Sequence, residues 1–230
     1  MIFPIGDDNI EGGHKPLIAY GLLAINVAIF IFQITLSLEQ IEFFLNDYGV
    51  IPNEISQGVD TYTLMTSMFL HGGLMHLVGN MLFLWIFADN IEAIIGSTFF
   101  LLFYLFGGLF ASAVHIYIDM DSMIPTVGAS GAISAIMGAY LIMFPKSRIK
   151  MIFILMFRRP FFIPAIAFLG LWFGQQLLSG VGALGATTAE EAGGVAWWAH
   201  IGGFAYGLII GYFFKLKYGT EYSYSTVLKV

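Results

Sequence analysis

Four polar side chains stand in otherwise oily stretches of this sequence, and their types suit a hydrolytic site. Ser130 follows Gly128 and Ala129 and precedes Gly131 at the head of one apolar run. His200 heads another, just after Trp197 and Trp198. His76 and Asn80 lie four residues apart in a third, a spacing that puts both on one face of a helix. Such groups are costly to hold in hydrocarbon, so an intramembrane hydroxyl or imidazole points to function. A serine hydroxyl becomes a nucleophile when a base takes its proton, and His200 is the candidate base, neutral when it acts. Ser130 opens a helix, where free N–H groups favour negative charge such as the oxyanion of a tetrahedral intermediate. Asn80 and His76 could add side-chain donors. No carboxylate is positioned to orient His200, so the chemistry indicated is hydrolysis by a serine–histidine dyad within a bilayer.

Each residue also has a structural explanation. A serine at a helix start caps it. Ser134, one turn on, reads as packing, and His71 and His115 read as hydrogen-bonding neighbours of other helices. His14 reads as a solvated tail residue, and Asp89 and Glu92 as holding structure. A metal site built from His71, His76 and His200 lacks an accompanying carboxylate or HExxH pattern, which argues against a metal. A small transporter would share the midplane polar groups, but the sequence has no clear two-half repeat.

The elements that must position these groups follow from composition. The chain has 230 residues, 58% of them hydrophobic and only 10% charged. Soluble domains carry about 25% charged residues. Six apolar runs approach bilayer-spanning length, near residues 17–37, 68–89, 98–118, 130–144, 162–179 and 197–214. Cysteine is absent, which excludes disulfides, thiolate metal sites and a cysteine nucleophile. The net charge of −6 argues against a nucleic-acid partner. The first sixteen residues are too acidic and too weakly apolar for a signal peptide and are expected to remain on the mature protein.

Basic residues set an orientation. Lys15, then Lys146, Arg148, Lys150, Arg158 and Arg159, then Lys215, Lys217 and Lys229 fall on one side of a six-span model. The alternate loops carry acidic residues and no Lys or Arg. Both termini are therefore expected in the cytoplasm. The long first outer loop, residues 38–67, sets Ile41, Phe43, Phe44 and Leu45 beside Glu39, Glu42 and Asp47. It reads equally as an interfacial helix or a solvated loop. The last outer loop, residues 180–194, is rich in Gly, Ala and Thr and reads as a lid or a plain linker.

The fourth run is short. Fifteen residues make a helix of about 22 Å, against a hydrocarbon core of about 30 Å. With Lys146 and Arg148 holding its inner end at the surface, Ser130 is expected below the outer surface, under a water-filled cavity. Gly203, Gly207 and Gly211 form a bare stripe on the sixth run, and Gly131, Ser134, Ala135 and Gly138 a matching one on the fourth. Such stripes let two helix backbones approach closely.

These motifs resemble the rhomboid family of intramembrane serine proteases. The likeness lies in Gly128-Ala-Ser130-Gly131, in His71-Gly-Gly-Leu-Met-His76-Leu-Val-Gly-Asn80, and in His200-Ile-Gly-Gly203-Phe-Ala-Tyr-Gly207, in that order. It implies an all-α membrane protein, a bundle of six transmembrane helices with a short central fourth helix, and no metal or cofactor. The division would be a short cytoplasmic segment at 1–16, a catalytic membrane domain at 17–214 and a cytoplasmic tail at 215–230. Ser130 would be the nucleophile and His200 the base. His76, Asn80 and the backbone N–H groups of Gly128, Ser130 and Gly131 would stabilise the oxyanion, with Gly203, Gly207 and Gly138 packing helices. Single-pass membrane proteins would be the substrates, cut near the outer face, with the prokaryotic inner membrane as the expected site. The fifth span and last outer loop, residues 161–179 and 180–194, would act as gate and cap. Some members stack an aromatic residue on the base from the position that Ser134 occupies, so support for His200 must come from elsewhere. Some carry a Trp-Arg pair in the first outer loop, which this chain lacks. The alternative is a catalytically silent relative that binds membrane-protein clients.

Overall fold

A chain this apolar must satisfy its backbone polar groups internally, and helices do so without a partner. The computed structural model describes residues 2–153, 160–184, 195–219 and 224–225. Their order is β1 (Ile2–Gly6), β2 (Asn9–Ile10), α1 (Leu17–Gln33), α2 (Leu38–Tyr48), α3 (Pro52–Ser56), α4 (Thr63–Thr66), α5 (Leu74–Ile95), α6 (Ser97–Ile118), α7 (Ser130–Met143), β3 (Arg148–Phe153), β4 (Phe161–Pro164), α8 (Ala165–Gly182), α9 (Trp197–Tyr218) and β5 (Tyr224–Ser225). Among the described residues, four helices, α5, α6, α8 and α9, are long and apolar enough to cross a membrane, and α1 and α7 are shorter apolar helices. The protein is a mostly helical membrane protein.

At the centre stands α7. Its 14 residues make about 21 Å of helix. Small side chains let its neighbours close in, and 11 of its residues are buried. The helix ends where Phe144 precedes Pro145, a residue that cannot continue it. Around it pack α5, α6, α8 and α9.

The all-α expectation needs correction. β1, β3 and β4 form an antiparallel sheet, with Ile2 opposite Phe153 and Arg148 opposite Pro164. The cause is local: Arg148-Ile149-Lys150-Met151 alternates charged and apolar residues, the period of a strand, and Ile149 and Met151 are buried. Residues 2–6 are thus a paired strand, and β2 pairs with β5 in the C-terminal tail. Arg158 and Arg159, residues 185–194 of the expected last outer loop and most of the tail after 219 lie outside the described residues.

A second correction concerns the expected 68–89 span. Gly72 and Gly73 delay the start of α5 to Leu74, and it runs on to Ile95. It therefore takes in Asp89 and Glu92. Glu92 is fully buried because it caps α1: its two carboxylate oxygens accept from the N–H groups of Ile18 (3.0 Å) and Ala19 (2.8 Å). Ser97 Oγ donates to it as well, at 2.5 Å. A carboxylate at a helix N-terminus also complements the helix dipole.

The end of α7 away from Ser130 carries a second polar cluster. Asp7 accepts from the Tyr140 hydroxyl and, at 2.8 Å, from Asn90 Nδ2. Asp89 accepts from Asn9 Nδ2 at 2.8 Å. Arg148 grips Asp8 through Nε and Nη2, at 2.9 and 3.0 Å. Burial, helped by the neighbouring Asp89, pushes the Asp7 carboxyl well above the usual carboxylate range. These contacts fasten the N-terminal segment to α5, α7 and β3. His14, though exposed, is fastened too, its N–H donating to the Ala93 carbonyl at 2.9 Å.

Between α1 and α5, α2 is an amphipathic helix with a capping box between Ser37 and Gln40. Its Phe44 packs edge-on against Phe32 of α1. Leu38 and Phe43 remain exposed, as on a helix lying at an interface.

Candidate active site

Two glycine seams bring α7 and α9 together. A Cβ on Gly203 would run into the Gly131 carbonyl oxygen, and one on Gly207 into that of Ala135. At Gly211 it would lie 2.6 Å from Ala139 Cα. From the other helix, a Cβ on Gly138 would strike the Phe204 carbonyl. Partners advance together by four residues along both chains, so the helices run parallel in backbone contact. Ser130, one residue before Gly131, and His200, one turn before Gly203, consequently sit at the same end of the pair. No hydrogen bond joins Ser130 Oγ to His200 among the described residues.

The segment leading into α7 brings in α5. Gly128 has φ of +131°, a conformation that favours glycine. Its N–H donates to the Ser67 carbonyl at 2.9 Å. A Cβ there would meet His76 Nε2 at 2.8 Å and Asn80 Nδ2 at 3.5 Å. Gly128 therefore lies directly against His76 and Asn80. Asn80 is 8% exposed, and its Nδ2 has no hydrogen-bond partner among the described residues. An unsatisfied buried donor is expensive, and it is aimed at the segment preceding Ser130.

Ser130 also lines a cavity of about 30 Å³, together with Ser67, Ser112, His115, Thr126 and Gly128. That space suits a water or two, and its polar lining offers them partners. His115 Nε2 is 3.0 Å from Thr126 Oγ1, which ties α6 to the segment before α7. Ser134 Oγ donates to the Ser130 carbonyl at 2.7 Å, a contact within the helix. His71 differs from its expected role. Its backbone is clasped by Gln33 at 3.0 and 3.1 Å, yet both ring nitrogens lack hydrogen-bond partners among the described residues and its ring packs edge-on against His76.

His200 is held from α8. Its Nδ1 is 2.8 Å from Gln176 Oε1. Trp172 lies over the ring at 6.0 Å and 33°, and Trp197 meets it edge-on at 6.3 Å. Sequence reasoning missed both Gln176 and Trp172. The signal was present: Gln176 is a polar residue in the middle of an apolar span, the criterion that singled out Ser130 and His200.

A model of the Rhomboid domain matches residues 59–217, more than half of the chain. The chain belongs to the rhomboid family. Among its relatives is Rhomboid protein 1, mitochondrial, of Saccharomyces cerevisiae, 27% identical over 205 residues, covering 87% of this chain and 54% of that protein. Presenilin-associated rhomboid-like protein, mitochondrial, of Homo sapiens is 30% identical over 154 residues, covering 65% of this chain and 38% of that protein. Rhomboid protease GluP of Bacillus subtilis is 32% identical over 128 residues, covering 55% and 24%. The chain thus spans about half, or less, of the length of these relatives. The rhomboid match contains every residue of the site, from Ser67 through Ser130 and Gln176 to Gly211.

Proposed function

We propose that this rhomboid is an intramembrane serine protease that hydrolyses peptide bonds in or near transmembrane segments of single-pass membrane proteins. Ser130 Oγ attacks the scissile carbonyl while His200 Nε2 takes its proton. Charge developing on the carbonyl oxygen is met by the N–H groups of Gly128, Ser130 and Gly131 and by the side chains of Asn80 and His76. For Gly128 to serve, its N–H must first leave the Ser67 carbonyl that it now binds. His200 then returns the proton to the leaving amine, and water hydrolyses the acyl-enzyme by the same steps in reverse order.

The observation that carries this reading is the parallel α7–α9 seam, with Ser130 and His200 at its one end and the free Asn80 donor facing it. The bundle is read as six spans, α1 and α5 to α9, within residues 17–214, with 1–16 and 215–230 on the cytoplasmic side. The site then opens on the face opposite the basic loops. Two of the three relatives named above carry mitochondrial names, which weighs against the prokaryotic inner membrane expected from sequence. The proposal is accordingly for a multi-pass membrane protein without a named compartment.

The test is reconstitution of the full chain in proteoliposomes with a model single-pass substrate. Wild type is expected to cleave it, while Ser130→Ala and His200→Ala remain folded and do not. A folded wild type that binds such substrates and cleaves none would support the silent client-binding alternative instead.

A further inference from the structure

We infer that Gln176 is a positioning residue for His200: its side-chain carbonyl accepts the Nδ1 proton and so leaves the Nε2 lone pair for the Ser130 hydroxyl. This rests on the reading of His200 as the base.

Gln176 lies within α8 and is 3% exposed, so its amide must find partners inside the protein. The amide has one acceptor atom and one NH₂ donor. Its Nε2 reaches the Trp172 carbonyl at 3.4 Å, a group that can only accept. That contact turns Oε1 toward His200, where it lies 2.8 Å from Nδ1. Oε1 carries no hydrogen, so the hydrogen between them belongs to the imidazole. A neutral ring protonated at Nδ1 has its lone pair on Nε2, the state a general base requires. The Asp of a serine-protease triad does the same work with a charge. Here a neutral amide does it, without setting a carboxylate in the membrane.

The rest of the shell agrees. Trp172, one turn before Gln176, packs against the ring in a tilted contact, so α8 meets the imidazole through both side chains. Ser134, at the position where some family members carry a stacking aromatic, is turned to the Ser130 carbonyl. Among the described residues, no other side chain is hydrogen-bonded to His200.

The test combines tautomer and turnover. The full chain is labelled with ¹⁵N-histidine, and the His200 signals are assigned by their loss in His200→Ala. Wild type is expected to show Nδ1 protonated and Nε2 bare. Gln176→Met, similar in length but without an acceptor, is expected to mix the tautomers and lower kcat about 10–100-fold, with KM little changed. Gln176→Glu retains an acceptor and is expected to keep the Nδ1–H tautomer and recover most of the lost kcat. A wild-type ring protonated at Nε2 would overturn the assignment, whatever the variants do. So would a Gln176→Met protein with unchanged tautomer and kcat. The tautomer is read without turnover, so Nδ1–H in a chain that cleaves nothing would uphold the contact and refute the protease reading.

Discussion

Gly203 of α9 lies against the Gly131 carbonyl of α7 with no room for a Cβ between them. This one contact sets the level of two others. It seats His200 one turn above the seam and Ser130 beside it, so the packing of two backbones sets both residues at the same end of the helix pair. Seam glycines are therefore expected to differ from glycines elsewhere. Gly203→Ala and Gly207→Ala must push backbone apart and should cost about 1–3 kcal/mol, while Gly174→Ala, which meets nothing within 4 Å, should be neutral. Thermal unfolding of the three variants in one detergent checks this. Equal melting temperatures would contradict it.

Asn80→Ala separates catalysis from stability. The Asn80 amide nitrogen has no hydrogen bond to lose, so the melting temperature should hold. If the nitrogen meets the oxyanion, kcat should fall about 10²–10³-fold. Steady-state kinetics and unfolding of the same preparation read both. Lost stability with unchanged kcat would make Asn80 a structural residue.

Glu92 predicts the reverse pattern. It accepts hydrogen bonds from the first turn of α1, 74 and 73 residues away in sequence. Glu92→Ala leaves those N–H groups unsatisfied and should destabilise the fold by about 1–3 kcal/mol. It lies at the far end of α5 from Asn80, so residual activity per folded molecule should persist. Unfolding monitored alongside single-turnover cleavage tests both halves.

Asp7 gives a pH dependence whose sign is fixed. Its carboxyl is held above its ordinary value by burial and by Asp89, so folding favours the protonated form. Its stabilising contribution is complete below the ordinary carboxylate value of about 4 and is lost as pH rises through the raised value. Asp7→Asn keeps an acceptor for Tyr140 and cannot ionise. Its melting temperature should gain on wild type as pH rises through that window. A difference between the two proteins that stays constant with pH would contradict the assignment.

Much of the site was legible because membrane burial makes polar residues conspicuous. Ser130, His200, His76 and Asn80 stood out as costly groups in apolar runs, and the spacing of Gly203, Gly207 and Gly211 marked a close helix contact. Span limits were read well where glycine and proline did not intervene, as for α6, expected at 98–118 and found at Ser97–Ile118. Gly72 and Gly73 displaced α5 because a hydropathy reading sees composition and not backbone freedom. β3 is hidden from a hydropathy reading because Arg148 and Lys150 read as loop charges, although their alternation with Ile149 and Met151 is a strand signal. Gln176 and Glu92 act through partners distant in sequence, so their roles emerge only once α8 meets α9 and α5 meets α1.

Fluorophosphonate labelling of the reconstituted full chain, compared with Ser130→Ala and His200→Ala, tests the dyad most directly. The probe reacts only with a serine whose proton a base can take. Labelling of wild type, absent in both variants although both remain folded, is the result expected. Labelling that survives in Ser130→Ala, or a folded wild type that cleaves its substrate yet takes up no label, would contradict it.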